Sequence, residues 1–254
     1  MAKSLDGTVA LITGASSGIG AATALALAAQ GARVAIAARR RDRLDALAQT
    51  IRAAGGTASV LEADVTDTEQ AGALVDGTVA VLGRLDIVVN NAGLMLLGPI
   101  VGADPAEWDR MLELNVRALM HVTQAALPHL LRAAEGEPRR VADLVNISSV
   151  AGRVARAGSG AYNASKWAVN AFSESLRQEV TKRHVRVSLI EPGYVETELQ
   201  SHNRPEIQAQ IRTLVPAEGG LQATDIADAI VYVVTRERHI AINEVLIRPT
   251  EQDR

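Results

Sequence analysis

Short apolar runs rich in β-branched residues alternate with longer segments of helical apolar spacing along almost the whole chain. The runs at 8–13 (TVALIT), 33–38 (RVAIAA), 57–63 (TASVLEA), 85–90 (LDIVVN), 141–148 (VADLVNIS), 185–192 (VRVSLIEP) and 244–249 (EVLIRP) read as buried strands. Segments 18–31, 41–55, 66–83 and 224–235 read as helices. Another helix starts at 104–108 (DPAEW), with Asp104 at the N-cap and Pro105 at the first helical position, and a long one runs on from 161–172. Thr66 and Glu69 are spaced as a capping box at the start of the third helix. Strands separated by helices must pair in parallel, since only a crossover returns the chain to the same end of a sheet. The expected fold is α/β: one domain over 1–254, a doubly wound parallel seven-stranded sheet with helices on both faces.

Composition removes several kinds of function. Apolar residues make up 48% of the 254, enough for one large core. A net charge of -3 gives no bulk attraction to nucleic acid or anionic membrane, and 2% aromatics leaves few stacking platforms for single strands. The run ARRRDR is too short to change that in an acidic chain. With no Cys, disulfides, thiolate zinc sites and thiol catalysis are excluded, and a reducing cytoplasm is the expected location. The N-terminus places Asp6 and Gly7 before any apolar run and does not read as a signal peptide; no apolar run is long enough to span a bilayer. The five His show no metal-ligand spacing, and no metal is expected.

In a doubly wound sheet, ligands bind beyond the carboxyl ends of the strands. The loop after the first strand reads TGASSGIG, with Gly14, Ser16, Ser17, Gly18, Ile19 and Gly20 leading into a helix. Glycines let backbone approach a ligand, and the helix start offers free N–H groups to phosphate. No Gly-Lys-Ser/Thr follows, which disfavours a P-loop and ATP and favours a dinucleotide. Later strand ends also carry small polar groups: Asp64 and Val65; Asn91, Ala92 and Gly93; Ser148 and Ser149; Pro192 and Gly193. The second strand ends in AARRRDR, where an Arg can accommodate a 2′-phosphate. Tyr162 and Lys166 in AYNASK lie four apart, on one face of a helix. The stretch 193–220 is long and weakly periodic, as a substrate-binding loop or lid is.

Together TGASSGIG, NNAG, the Asn in ELNV, NISS, YNASK and EPG resemble the short-chain dehydrogenase/reductase family, in its order and spacing over essentially the whole chain. The texture of NNAGLMLLGPI and AFSESLRQEV is similar to an actinobacterial branch that includes clavulanic acid dehydrogenase, whereas the stretch 132–144 is longer than that branch implies. The resemblance implies a Rossmann-like fold, four catalytic residues (Asn115, Ser149, Tyr162 and Lys166) and self-association as a tetramer or dimer. Of the two serines, Ser149 has the family's spacing to the tyrosine. Tyr162 would be the general acid/base, its pKa lowered by Lys166, which would also hold the nicotinamide ribose. Ser149 would bond the substrate oxygen and Asn115 would position a water. Further cofactor contacts are expected from Val195 and Thr197, and substrate contacts from Leu94, Met95, Leu96, Gly152, Arg153 and Tyr194.

Ala38 occupies the place where NAD-dependent relatives carry Asp, and Arg39 follows, with Arg40 as a second cation, so NADP(H) is expected over NAD(H). The implied activity is interconversion of a small carbonyl compound and its alcohol. The alternative is a non-catalytic dinucleotide sensor on the same fold.

Overall fold

The computed structural model describes residues 4–213 and 219–253. Seven strands form one parallel sheet in the order β3-β2-β1-β4-β5-β6-β7: β1 Val9–Thr13, β2 Arg33–Ala38, β3 Thr57–Glu62, β4 Ile87–Asn90, β5 Ala142–Ile147, β6 Val185–Pro192 and β7 Glu244–Ile247. The order reverses between β1 and β4, whose loops therefore diverge over a crevice.

Side chains on successive strand residues face opposite ways, so each strand feeds two cores. Ala10, Ile12, Val34, Ile36, Ile87, Val89 and Val145 face the layer of α1 (Gly18–Ala29), α2 (Arg41–Ala53) and α8 (Ala223–Val234). Val9, Leu11, Ala35, Val88, Leu144 and Val187 face α3 (Thr68–Leu82), α5 (Leu119–Glu135) and α6 (Gly160–Val180). Coverage on both faces explains why the strands read as continuous apolar runs. Each fully buried aliphatic side chain contributes about 1.5–3 kcal/mol.

Local chemistry sets the helix starts, with one change from the sequence expectation. Asp67, not Thr66, caps α3, accepting from the N–H groups of Glu69 and Gln70. Thr66 instead donates to Asp64. Asp104 caps α4 (Pro105–Leu112) as expected. Between α4 and α5 the helix widens into a π turn over Glu113–Ala118, which no sequence periodicity marked. The longer stretch 132–144 packs at the amino edge of the sheet. There Arg139 pairs with the fully buried Asp143 at 2.8 Å and donates to Val234 O, and Arg186 of β6 takes the other Asp143 oxygen at 2.6 Å.

Candidate active site

A cavity of about 600 Å³ opens over the carboxyl edge of the sheet, a size common for small-molecule sites. Gly14, Ser16, Ser17, Gly18 and Ile19 of the loop after β1 line one wall of it. Gly14 has φ +64, and a Cβ there would stand 2.8 Å from Ala92 Cα. The glycine is thus what lets the β1 and β4 loops close on each other. Asn91 fastens that junction: its Nδ2 donates to Thr13 O at 2.9 Å and Gly14 O at 3.2 Å, while Thr13 Oγ1 accepts from the N–H groups of Asn91 and Ala92. Gly20 does not line the cavity; a Cβ there would meet Asn91 Nδ2 and Gly14 O, so it permits close packing of α1.

Arg39, Arg40, Asp64 and Val65 line one end of the cavity. Burial pushes the Asp64 carboxyl up, but hydrogen bonds from Thr66 and the nearby charge of Arg39 outweigh it and hold it below its usual range. The Arg39 side chain is 75% exposed and reaches Asp64 at 3.7 Å. Arg40 lies across the glycine loop, donating to Ser16 Oγ at 2.9 Å and Ser17 Oγ at 2.8 Å.

At the other end, α6 brings Tyr162 and Lys166 side by side, both buried, with Lys166 Nζ 5.9 Å from the ring centroid. Lys166 donates to Ile147 O at the end of β5 at 2.9 Å. Ser149 begins the short turn after β5, accepting from Ala151 N at 3.1 Å. Burial pushes the Tyr162 phenol up to about 12, with the Ser149 hydroxyl pulling the other way. Burial pushes Lys166 down to about 8. The expected lowering of the phenol's pKa by Lys166 does not appear: burial sets the direction, and the Lys166 ammonium is turned toward a backbone carbonyl.

The cavity is thus a glycine-lined crevice at the switch point of the sheet, with a Tyr–Lys pair and a Ser at one end. The family model described as short chain dehydrogenase matches residues 8–208. The chain belongs to the short-chain dehydrogenase family. It is 36% identical over 241 residues to an uncharacterized oxidoreductase of Staphylococcus epidermidis, covering 95% of this chain and 96% of that protein. It is also 36% identical over 249 residues to the glycine betaine reductase ATRR of Emericella nidulans, covering 98% of this chain but only 19% of that longer protein. Among solved structures, a metagenomic short-chain oxidoreductase in complex with NADP superposes with a TM-score of 0.80 at 36% identity, covering 98% and 100% of the two chains. A short-chain dehydrogenase/reductase from Burkholderia phymatum in complex with NAD superposes with a TM-score of 0.85 at 28% identity, covering 96% and 89%.

In this short-chain dehydrogenase not every expected residue reaches the cavity. Asn91, Ala92, Gly93, Leu94, Met95, Ser149, Tyr162, Lys166, Pro192, Gly193, Tyr194, Val195 and Thr197 line it. Asn115 does not. The π turn aims its side chain at the backbone of Leu94, accepting from N and donating to O, with a further bond to Ser165 Oγ. Leu96 turns to a separate shallow hollow beside Trp108, where it packs with Met111. Gly152 packs against Ser148 and Asn170 instead of lining the cavity. Arg153 is drawn away by Glu191, fully buried on β6, at 2.7 Å, and by Glu244.

The loop after β6 is more ordered than its weak periodicity implied. A 3₁₀ turn, Glu198–His202, and α7, Pro205–Thr213, occupy it; the expected lid's residues 214–218 lie outside the described residues. Asn203 staples this segment to the cavity wall, accepting from Leu97 N at 2.7 Å and donating to Met95 O at 3.0 Å. Sequence reasoning missed Arg156, Glu198, Glu251 and Asp253, which all line the cavity. The last two come from the chain's end, held in place as Gln252 Oε1 accepts from Tyr194 N at 2.8 Å. No spacing in the sequence signals that contact. Among the described residues, no helix is long and apolar enough to cross a membrane, and no cluster of His, Asp and Glu could hold a metal.

Proposed function

We propose that this protein is an NADP(H)-dependent oxidoreductase that interconverts an aldehyde or ketone with its alcohol. The convergence of Tyr162, Lys166 and Ser149 on one end of a cavity whose other end is the glycine loop carries this reading. The residues fit a dinucleotide. Cβ atoms at Gly14 and Gly193 would stand 2.8 Å and 2.3 Å from Ala92 and Gln252, so these glycines let the loops that wall the cavity pack together, and the first turn of α1 offers N–H groups to phosphate. Gly14 to Ile19 would hold the pyrophosphate, Arg39 and Arg40 a 2′-phosphate, Asp64 and Val65 the adenine, and Asn91 to Gly93, Lys166 and Pro192 to Thr197 the nicotinamide end.

When bound there, the nicotinamide supplies or accepts the hydride. The chain's own residues handle the oxygen. In the reducing direction, the Tyr162 phenol gives its proton to the carbonyl oxygen; in the oxidising direction, the phenolate takes the hydroxyl proton. Ser149 donates a hydrogen bond to the same oxygen where negative charge develops. Lys166, fixed by Ile147 O, supplies positive charge beside the phenol when protonated. Asn115 ties the π turn to the Leu94 backbone and so holds the substrate wall.

Leu94, Met95, Leu97, Val154 and Ile211 give that wall an apolar surface, which favours small to medium, largely apolar substrates; Arg156 and His202 add polar groups at its margin. Turnover confined to highly anionic carbonyl compounds would remove this substrate assignment. Self-association follows from the family resemblance, with Leu112, Met120 and Trp167 as exposed apolar candidates for the contact. Tyr162→Phe tests the catalytic reading: NADPH binding should persist while turnover of a carbonyl panel falls by at least about a hundredfold, as expected for loss of a general acid. Substantial residual turnover would remove Tyr162 from its role. A wild type that binds NADPH and reduces nothing would favour the sensor.

A further inference from the structure

Glu198 lines the cavity beside Arg40, and it comes from the loop after β6. It opens the 3₁₀ turn of the substrate loop, yet its carboxylate reaches across to the start of α2. Oε2 accepts from Arg40 Nη1 at 2.8 Å and Oε1 from Arg43 Nη1 at 2.5 Å. The remaining donors of Arg40 lie on the glycine loop: Nε and Nη2 on Ser16 Oγ, and Nη2 on Ser17 Oγ. Ser16, Ser17, Arg40 and Glu198 all line the same cavity. Arg40, one of the groups that could receive a phosphate here, is thus already engaged by the Glu198 carboxylate, whereas Arg39 is not.

We propose that Glu198 is a specificity-determining residue that competes with the 2′-phosphate of the cofactor for Arg40, while Arg43 holds the same carboxylate from outside the cavity. This inference rests on the dinucleotide reading above and deepens it. The two arginines and one carboxylate leave a single net positive charge. A phosphate monoester carries about −1.5 to −2 at neutral pH and outbids a carboxylate for a guanidinium. A 2′-hydroxyl is neutral and leaves the ion pairs in place. Binding NADP(H) therefore draws Arg40 away from Glu198, whereas binding NAD(H) leaves that ion pair in place. The two arginines hold the Glu198 carboxyl far below its usual range, at about 2, so the competitor is charged at any working pH. All three side chains are more than 40% exposed, so the competition is modest and salt-sensitive.

The test uses two probes of equal phosphate count, adenosine 2′,5′-bisphosphate and ADP, with affinities measured by calorimetry at low salt on the full-length protein. Glu198→Gln should tighten the bisphosphate by about two- to fivefold, the scale of one exposed ion pair, and leave ADP unchanged. Glu198→Ala should act in the same direction, and Glu196→Gln, a loop carboxylate bonded to Gly220 and Gln222 outside this cluster, should change neither. High salt should shrink the difference. Unchanged or weaker bisphosphate binding in Glu198→Gln would overturn the competition, the weaker case showing that Glu198 organises Arg40 for phosphate. A wild type that binds neither probe would overturn the dinucleotide reading itself, and the competition with it.

Discussion

Gly14→Ala is expected to damage both stability and nucleotide binding, and its size follows from the geometry. Gly14 sits at φ +64, where an L side chain costs about 1–2 kcal/mol. The added methyl would stand 2.8 Å from Ala92 Cα, 2.9 Å from Asn91 Nδ2 and 3.0 Å from Ala92 N. Two of these are backbone atoms, so they yield only if the β4 loop moves and the Asn91 bonds to Thr13 and Gly14 break. Overpacking of this kind costs about 1–3 kcal/mol. The total of about 2–5 kcal/mol corresponds to a melting temperature lower by about 5–15 °C in a domain of this size. The control is Gly72→Ala in α3, where an added Cβ meets nothing within 4 Å. Helix propensity alone should make that variant more stable by about 0.5–1 kcal/mol. Thermal melting by circular dichroism and NADPH binding by fluorescence, run on both variants, give the comparison. A Gly14→Ala protein that melts with the parent and binds NADPH normally would refute the reasoning, because it would show that the two loops do not meet as described.

Asp143→Ala should destabilise the fold by about 3–5 kcal/mol in chemical denaturation, because it strands the guanidinium groups of Arg139 and Arg186 beside the core; a loss under about 1 kcal/mol would show the cluster to be well hydrated. Ala38→Asp/Arg39→Leu should shift the kcat/KM ratio of NADPH to NADH at least about tenfold toward NADH, the scale of one charge-assisted contact, and adding Arg40→Leu should shift it further; an unmoved ratio would place discrimination elsewhere. Because burial raises the Tyr162 pKa to about 12, the phenolate is scarce near neutrality and increases with pH. Alcohol oxidation should therefore accelerate from about pH 6 to about pH 8, where Lys166 begins to lose its charge, while carbonyl reduction gains nothing, and a flat oxidation profile below about pH 8 would argue against Tyr162 as the base.

Much of the molecule was legible before any coordinates. Strands buried on both faces must be apolar throughout, and helices that cross over must be long and amphipathic, so alternation alone implied the seven-stranded parallel sheet and located the loops that matter. Gly14 and Gly18 in the first of those loops, and Tyr162 one turn from Lys166, follow from local chemistry that sequence spacing records. What spacing does not record is direction and burial. The π turn that aims Asn115 at Leu94, and the packing on Met111 that keeps Leu96 away from the cavity, depend on contacts between residues distant in sequence. Arg153 was expected beside the substrate, but a carboxylate on β6 and another on β7 capture it from outside the cavity. The direction of the Tyr162 shift also needed the tertiary structure, because desolvation depends on everything packed around the ring, whereas sequence shows only the neighbouring cation. The same holds for Glu198 and the tail residues Glu251 and Asp253. Their places in the cavity are set by how the chain closes across the sheet, and one-dimensional order does not encode that closure locally.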